Sequence, residues 1–187
     1  YESILSANQY ILIPVFLHEM FQDNPFFRGI RTIMTVHNLK FQGVWDIQTM
    51  RRFTGLPGHV FTLGRMEFHR DANMLKGGLV YADRITTVSN TYANEIRMPY
   101  YGEGLDGLLN ARSDSLWGIV NGIDYDLYNP ATDKMIAENY DETTFEEGKK
   151  ACKLAIQREL GMPEDPDVMM IAMITRLTDQ KGLDLVE

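Results

Sequence analysis

Val168-Met169-Met170-Ile171-Ala172-Met173-Ile174-Thr175-Arg176-Leu177-Thr178-Asp179-Gln180-Lys181-Gly182-Leu183-Asp184-Leu185 is the stretch whose reading decides the fold. It opens as an uninterrupted apolar run from Val168 to Ile174, with no polar alternation. Such a run suits a strand buried on both faces, as in a parallel sheet flanked by helices. A polar loop carrying Arg176 and Lys181 follows, and Gly182 leads into Leu183-Asp184-Leu185-Val186, read as the start of a helix. In open α/β sheets, ligands gather beyond the carboxyl ends of the strands. Two cations in a strand-to-helix loop are well placed for phosphate oxygens. Spacing alone leaves a second reading open, that of a solvated basic loop.

Upstream, Phe145 to Leu160 carries Ala151, Leu154, Ala155, Ile156 and Leu160 at helical spacing, and Gly161 stops it. Pro163 and Pro166 then mark the turn into the apolar run. Tyr125 to Asp133 is polar with Pro130 and reads as a hinge. Before it, Arg31 to Val36 is a β-branched, apolar strand, Arg84 to Val88 a second, short strand and Leu116 to Val120 a third. Between them lie helical segments at Asn73–Ala82 and Tyr92–Ile96, the latter capped from Ser89-Asn90-Thr91. Ile11 to Phe21 is helical with Pro14 in its first turn, and Met50 to Phe61 is a short helix and loop. Leu39 to Trp45 and Met98 to Gly107 read as loops. Strands alternating with helices predict an α/β fold with a parallel sheet.

The chain has 187 residues and a net charge of -8, so nucleic acid is a poor default partner. The lone Cys152 excludes an intrachain disulfide, and nothing resembles a Cys-based metal site. His18, His59 and His69 lack metal-ligand spacing, so neither metal nor cofactor is assigned. No apolar run is long enough to span a bilayer, and the expectation is a soluble, cytoplasmic protein with no membrane partner. No Gly-x-Gly-x-x-Gly follows any of these strands, which sets aside a dinucleotide-binding oxidoreductase. The chain opens without Met and stops as a helix should be getting under way, so it reads as a fragment.

The wording of several segments is specific. Arg176-Leu177-Thr178-Asp179-Gln180-Lys181-Gly182-Leu183-Asp184 resembles the S-R-L-T-x-Q-K-G-L-D segment of bacterial glycogen synthases and plant starch synthases, with Thr175 in place of the serine. Thr35-Val36-His37-Asn38-Leu39-Lys40-Phe41-Gln42-Gly43 is similar to that family's T-[VI]-H-N-[LI]-x-[YF]-Q-G. Asn73 to Asp83 resembles its N-x-L-K-x-G-L-x-Y-A-D, and Thr86 to Ile96 its T-T-V-S-P-T-Y-A-x-E-I. Gly104-Leu105-Asp106-Gly107-Leu108-Leu109 and Val120-Asn121-Gly122-Ile123-Asp124 follow the same wording in the same order.

The resemblance implies a retaining GT-B glycosyltransferase that moves glucose from ADP-glucose, or UDP-glucose in some relatives, to the non-reducing end of an α-1,4-glucan such as glycogen, without a metal. It implies a partial GT-B: residues 1–120 as the C-terminal part of the acceptor-side Rossmann-like domain, and 121–187 as hinge and beginning of the nucleotide-sugar-binding domain. His37 would contact the donor glucose, its backbone carbonyl facing the anomeric carbon, where positive charge develops. Arg176 and Lys181 would hold the donor diphosphate and stabilise the departing ADP. Asn38, Asn121 and Gly122 would bind substrate, although Gly122 is equally readable as a turn residue. Asp106 reads as a helix cap rather than a cleft residue, and Lys76 as a structural contact rather than a ligand. Tyr92, Tyr100 and Tyr101 read as packing rather than sugar stacking.

The family's K-x-G-G-L loop is absent, Ala7 and Asn8 stand where its H-D-W segment has Asp and Trp, and its E-x-x-E-P-x-G-L segment would lie beyond Glu187. The expectation is therefore a parent enzyme and a fragment that is itself inactive and, through open sheet edges, self-associating. The alternative is a non-catalytic glucan- or nucleotide-sugar-binding module.

Overall fold

The computed structural model describes residues 9–186, and the side chains of all of these except Gln9 and Asp179. Ala7, Asn8 and Glu187 lie outside the described residues. Two compact units divide between Gly122 and Ile123.

In chain order the first unit holds α1 (Ile13–Glu19), β1 (Ile33–Val36), β2 (Val44–Trp45), α2 (Ile47–Thr54), β3 (Glu67–Phe68) and β4 (Asp71–Asn73). Then come α3 (Met74–Tyr81), β5 (Arg84–Thr87), α4 (Asn90–Glu95), α5 (Asp106–Ala111) and β6 (Leu116–Gly118). β1, β5 and β6 form a parallel sheet in that order, as the alternation of strands and helices requires. A second, antiparallel sheet has the order β2-β4-β3.

Met34, Val36, Ile85 and Leu116 from the parallel sheet meet Leu75, Leu79, Ala93, Ile96 and Leu109 from the helices in one core. A second core gathers Leu12, Val15, Met50, Val60, Met66, Ala72 and Met74. α3 contributes to both, which is why, Lys76 apart, it is apolar on more than one side rather than striped. Its glycines are explained by that position. A Cβ on Gly78 would lie 2.7 Å from the Ile11 carbonyl oxygen, so glycine lets the turn before α1 lie directly on the helix.

Local signals set the helix ends. Pro14 sits in the first turn of α1. Asp46 caps α2 from the Thr49 N–H at 2.8 Å, so that helix starts earlier than the apolar pattern suggests. Ser89 caps α4 from the Tyr92 N–H at 2.9 Å. Asp106 is a correction: it is the first residue of α5, the cap position belongs to Leu105, and no side chain caps that helix.

The start of the parallel sheet is tied by Asp83. Its carboxylate accepts the Thr32 N–H at 2.8 Å and the Arg31 guanidinium at 2.7 Å. The Thr32 backbone bond, then Arg31, hold this carboxyl down at about 2. An unfolded aspartate titrates near ~3.9, so the stability Asp83 contributes is present above about pH 4 and is lost as pH falls toward 2. Asp83→Ala should cost about 2 kcal/mol at neutral pH and flatten the acid limb between pH 4 and 2. Urea unfolding across that range checks it. An acid limb identical to wild type would refute the role.

Glu19, at the end of α1, is nearly buried and accepts hydrogen bonds from Tyr81 Oη at 2.6 Å, His59 Nε2 at 2.6 Å and the Arg65 guanidinium. Burial alone would raise this carboxyl, but the Tyr81 and His59 bonds and the Arg65 charge outweigh it and hold it below its ordinary value. Burial and the Glu19 contact push the Tyr81 hydroxyl up to about 12. The cluster fastens α1 to α3 and to the segment after α2.

In the second unit, α6 (Phe145–Glu159) ends at Gly161, which has φ +67. Gln157 is buried and exchanges two hydrogen bonds with the Asp165 backbone, at 3.1 and 2.9 Å, holding the following turn on the helix. The apolar run beyond that turn is a correction to the sequence reading. Val168–Ile174 is not a strand; Ile171 is 86% and Ile174 100% exposed. Among the described residues this unit has no other strand to pair with it. A strand's N–H and C=O groups need a neighbour in the sheet, and an apolar sequence cannot supply one.

Candidate active site

The register of the parallel sheet brings its carboxyl ends level. Val36 pairs with Thr87, and Thr87 with Gly118. Thr87 Oγ1 donates to the Val36 carbonyl at 2.7 Å, and the Ile119 N–H donates to the Thr87 carbonyl at 2.7 Å. His37, Val88 and Ile119 therefore leave the sheet side by side, and His37 is exposed at that rim. This is the edge at which open α/β sheets bind ligands.

The loop after His37 is anchored at several points. Asn38 Oδ1 accepts the Lys40 N–H at 2.9 Å, a turn that folds the loop back directly after His37. Leu39 is buried, and its N–H donates to Tyr92 Oη at 3.4 Å. The carbonyls of Gln42 and Gly43 accept the Leu75 and Met74 N–H groups of α3, at 3.0 and 3.1 Å. Tyr92 is thus a packing residue. Tyr100, 87% exposed, makes an edge-to-face contact with Tyr101 on the surface.

Lys76 is a structural contact. Its Nζ donates to the carbonyls of Leu63 at 2.6 Å and Glu67 at 2.5 Å. Burial lowers its pKa against the opposing influence of Glu67. His59 is engaged by Glu19, His18 lies 5.9 Å from the Tyr81 ring, and His69 sits against Phe68 in the β3–β4 turn.

Beyond β6, Asn121 and Gly122 are exposed on the irregular segment that follows Ile119. Gly122 is outside the positive-φ region, and a Cβ there would meet nothing within 4 Å. Neither backbone strain nor close packing requires a glycine at that position.

In the second unit, Arg176 and Lys181 are both exposed. The Arg176 carbonyl accepts the Thr178 N–H at 2.9 Å, and the Thr178 carbonyl accepts the Lys181 N–H at 3.0 Å. Short 3-10 turns at Asp179–Lys181 and Leu183–Leu185 flank Gly182, which has φ +68. Within the described residues neither cation makes a salt bridge. The first unit thus sets His37 and Ile119 at one edge of one sheet, with Asn38 after the one and Asn121 and Gly122 further along the chain from the other, and the second holds Arg176 and Lys181 on one loop.

The family model for the starch synthase catalytic domain matches residues 7–111, more than half of the chain. The chain belongs to the starch synthase catalytic domain family. Glycogen synthase of Lachnospira eligens is 59% identical over 175 residues, covering 94% of this chain and 37% of that protein. Glycogen synthase of Thermotoga petrophila is 49% identical over 178 residues, covering 95% of this chain and 36% of that protein. The catalytic domain of starch synthase IV from Arabidopsis thaliana, bound to ADP and acarbose, aligns with a TM-score of 0.77 at 29% identity, over 95% of this chain and 36% of that one. The fold is therefore α/β and a part of the GT-B arrangement of starch synthase catalytic domains. The chain spans little more than a third of the length of the relatives it matches.

The structural roles of three residues of this family member are not stated by any motif. Gln42 and Asn73 form a buried amide pair beside the loop after His37, and only the position of Asn73 ahead of a helix hints at its role. Gly118 ends β6 against the Ser89 carbonyl, where a Cβ would sit 2.1 Å from the oxygen. A glycine at a strand's end carries no such message in sequence.

Proposed function

We propose that this chain is part of a glycogen synthase that transfers glucose from ADP-glucose to the non-reducing end of an α-1,4-glucan with retention. The observation that carries the reading is the rim where His37 and Ile119 leave level parallel strands, with Asn38 next to the one and Asn121-Gly122 following the other in sequence, in a chain 59% identical to a glycogen synthase. The ADP and acarbose of the starch synthase IV structure support an adenine-nucleotide donor and a glucan acceptor. His37 presents its carbonyl dipole to the anomeric carbon, where positive charge grows as the bond to the diphosphate breaks. Arg176 and Lys181 meet the negative charge that gathers on the departing ADP. Asn38, Asn121 and Gly122 border the bound sugar. Residues up to about 120 belong to the acceptor-side Rossmann-like domain, and 121–187 to the hinge and beginning of the donor-side domain. The place of action is the cytoplasm; among the described residues no helix is long and apolar enough to cross a membrane.

The test is transfer of labelled glucose from ADP-glucose to glycogen by the reading frame extended to the length of its relatives. That polypeptide is expected to turn over. The 187-residue chain alone is expected to transfer nothing and to self-associate through exposed apolar residues such as Ile33, Trp117 and Ile171, read by light scattering. Binding of ADP-glucose by the extended polypeptide without transfer would replace the enzyme with a binding module.

A further inference from the structure

The side chain of Gln42 joins two loops that are distant in sequence. Gln42 is 8% exposed and Asn73 0%. Asn73 Nδ2 donates to Gln42 Oε1 at 2.5 Å, and Gln42 Nε2 donates to the Glu103 carbonyl at 3.0 Å. The orientation of both amides follows from the network. Asn73 Oδ1 accepts the Lys76 N–H at 2.9 Å as the cap of α3, so its Nδ2 must be the end that faces Gln42. Gln42 must then offer its oxygen to Asn73 and its N–H to Glu103. The main chain of Gln42 is held as well, through its carbonyl and the Leu75 N–H.

The partner of this amide is a strained turn. Glu103 has φ +50, uncommon for a residue with a Cβ, and Gly104 follows at φ +78 with the Phe68 ring against it. A turn of that kind persists only where its surroundings determine it. Gln42 lies in the same anchored loop as His37, so the bond to Glu103 connects the turn to the rim of the sheet.

We propose that Gln42 is a positioning residue: its buried amide, oriented by Asn73, locks the Glu103–Gly104 turn to the loop that follows His37 and makes the two one rigid wall of the substrate site. The catalytic part of this inference rests on the glucosyl-transfer reading.

The experiment uses the extended polypeptide with Gln42→Glu and Gln42→Met. Gln42→Glu keeps the shape, but an ionised carboxylate turns oxygen toward the Glu103 carbonyl. Once protonated, the same group donates an O–H there and restores the bond. Burial raises such a carboxyl, so the switch falls in an accessible range. At pH 8 kcat should drop by roughly tenfold to a hundredfold, the scale of a small misplacement in a catalytic site, with donor KM changing less. Toward pH 6 the ratio to wild type should recover. A purely structural role predicts parallel pH profiles, and parallel profiles or an unchanged kcat would overturn the proposal.

Gln42→Met is read by hydrogen exchange. Residues 102–105 should exchange faster while β1 stays protected. Unchanged exchange at 102–105, or loss of protection in β1 as well, would overturn the proposal, the latter by assigning Gln42 to the whole fold. If the wild-type extended polypeptide transfers no glucose, the function reading fails, and the exchange result alone decides whether Gln42 holds the turn.

Discussion

Arg176→Ala and Lys181→Ala should each lower kcat by roughly 10²-fold in the polypeptide extended to the length of its relatives, the scale seen when one preorganised charge-stabilising donor is lost. Both side chains are exposed and, among the described residues, without a salt bridge, so neither substitution removes a packing contact or an ion pair from the second unit. On the proposed reading, their effect belongs to the charge that appears on the leaving diphosphate. Because that diphosphate is already anionic in the ground state, donor KM should rise alongside the fall in kcat. Lys181→Arg should rescue only in part, since a planar fork replaces a compact ammonium. Arg158→Ala is the control. It removes a cation from the same unit, but one engaged in an exposed ion pair with Glu164 at 2.6 Å, and should stay near wild type. Measuring kcat, donor KM and Tm for these variants decides the matter. Wild-type kcat in both cation variants would reduce the pair to a solvated basic loop.

Gly118→Ala should destabilise the first unit by about 3 kcal/mol, the upper range for forcing an atom into a packed site. The added Cβ would lie 2.1 Å from the Ser89 oxygen, 2.2 Å from its carbonyl carbon and 2.3 Å from the Asn90 nitrogen. All of these are backbone atoms at the N-terminus of α4, so no side-chain rotation can relieve the clash. Either β6 moves away from β5 or the α4 cap at Ser89 opens. Both would disturb the level strand ends from which His37 and Ile119 emerge. Gly122→Ala is the matched comparison: nothing lies within 4 Å of its Cβ position, and stability should change by less than ~0.5 kcal/mol. Denaturant midpoints for the two variants provide the test. Equal midpoints would mean that β6 does not approach Ser89 as described.

The two sheets were not equally legible. β1 and β5 lie in β-branched runs and β6 in the short apolar run Leu116–Val120, and these patterns announce the strands. The antiparallel sheet was not. β2 is two residues long, and β3 and β4 are joined by His69 and Arg70, with φ of 53° and 74°. A tight hairpin turn with both central residues at positive φ is normally announced by Asn-Gly or Asp-Gly, and here that signal is missing. The site divides in the same way. His37, Asn38, Arg176 and Lys181 are marked by the wording of their segments, whereas the bonds of Gln42, in the same segment as His37, go to Asn73 and Glu103, far from it along the chain.

By itself the sequence determined what depends on neighbours along the chain: the Ser89 cap, the stop at Gly161, and the strand pattern of β1, β5 and β6. These hold because a cap or a turn is satisfied within a few residues. Only the tertiary structure decided whether an apolar run becomes a strand. Arg84–Thr87 does, between β1 and β6, while the more apolar Val168–Ile174 does not. The same structure decided that His37 and Ile119 share a rim and that Gln42 faces Glu103. The physical reason is that backbone groups in a strand, and amides in a core, must be paired by atoms from elsewhere in the chain, and a linear pattern states the need without naming the partner.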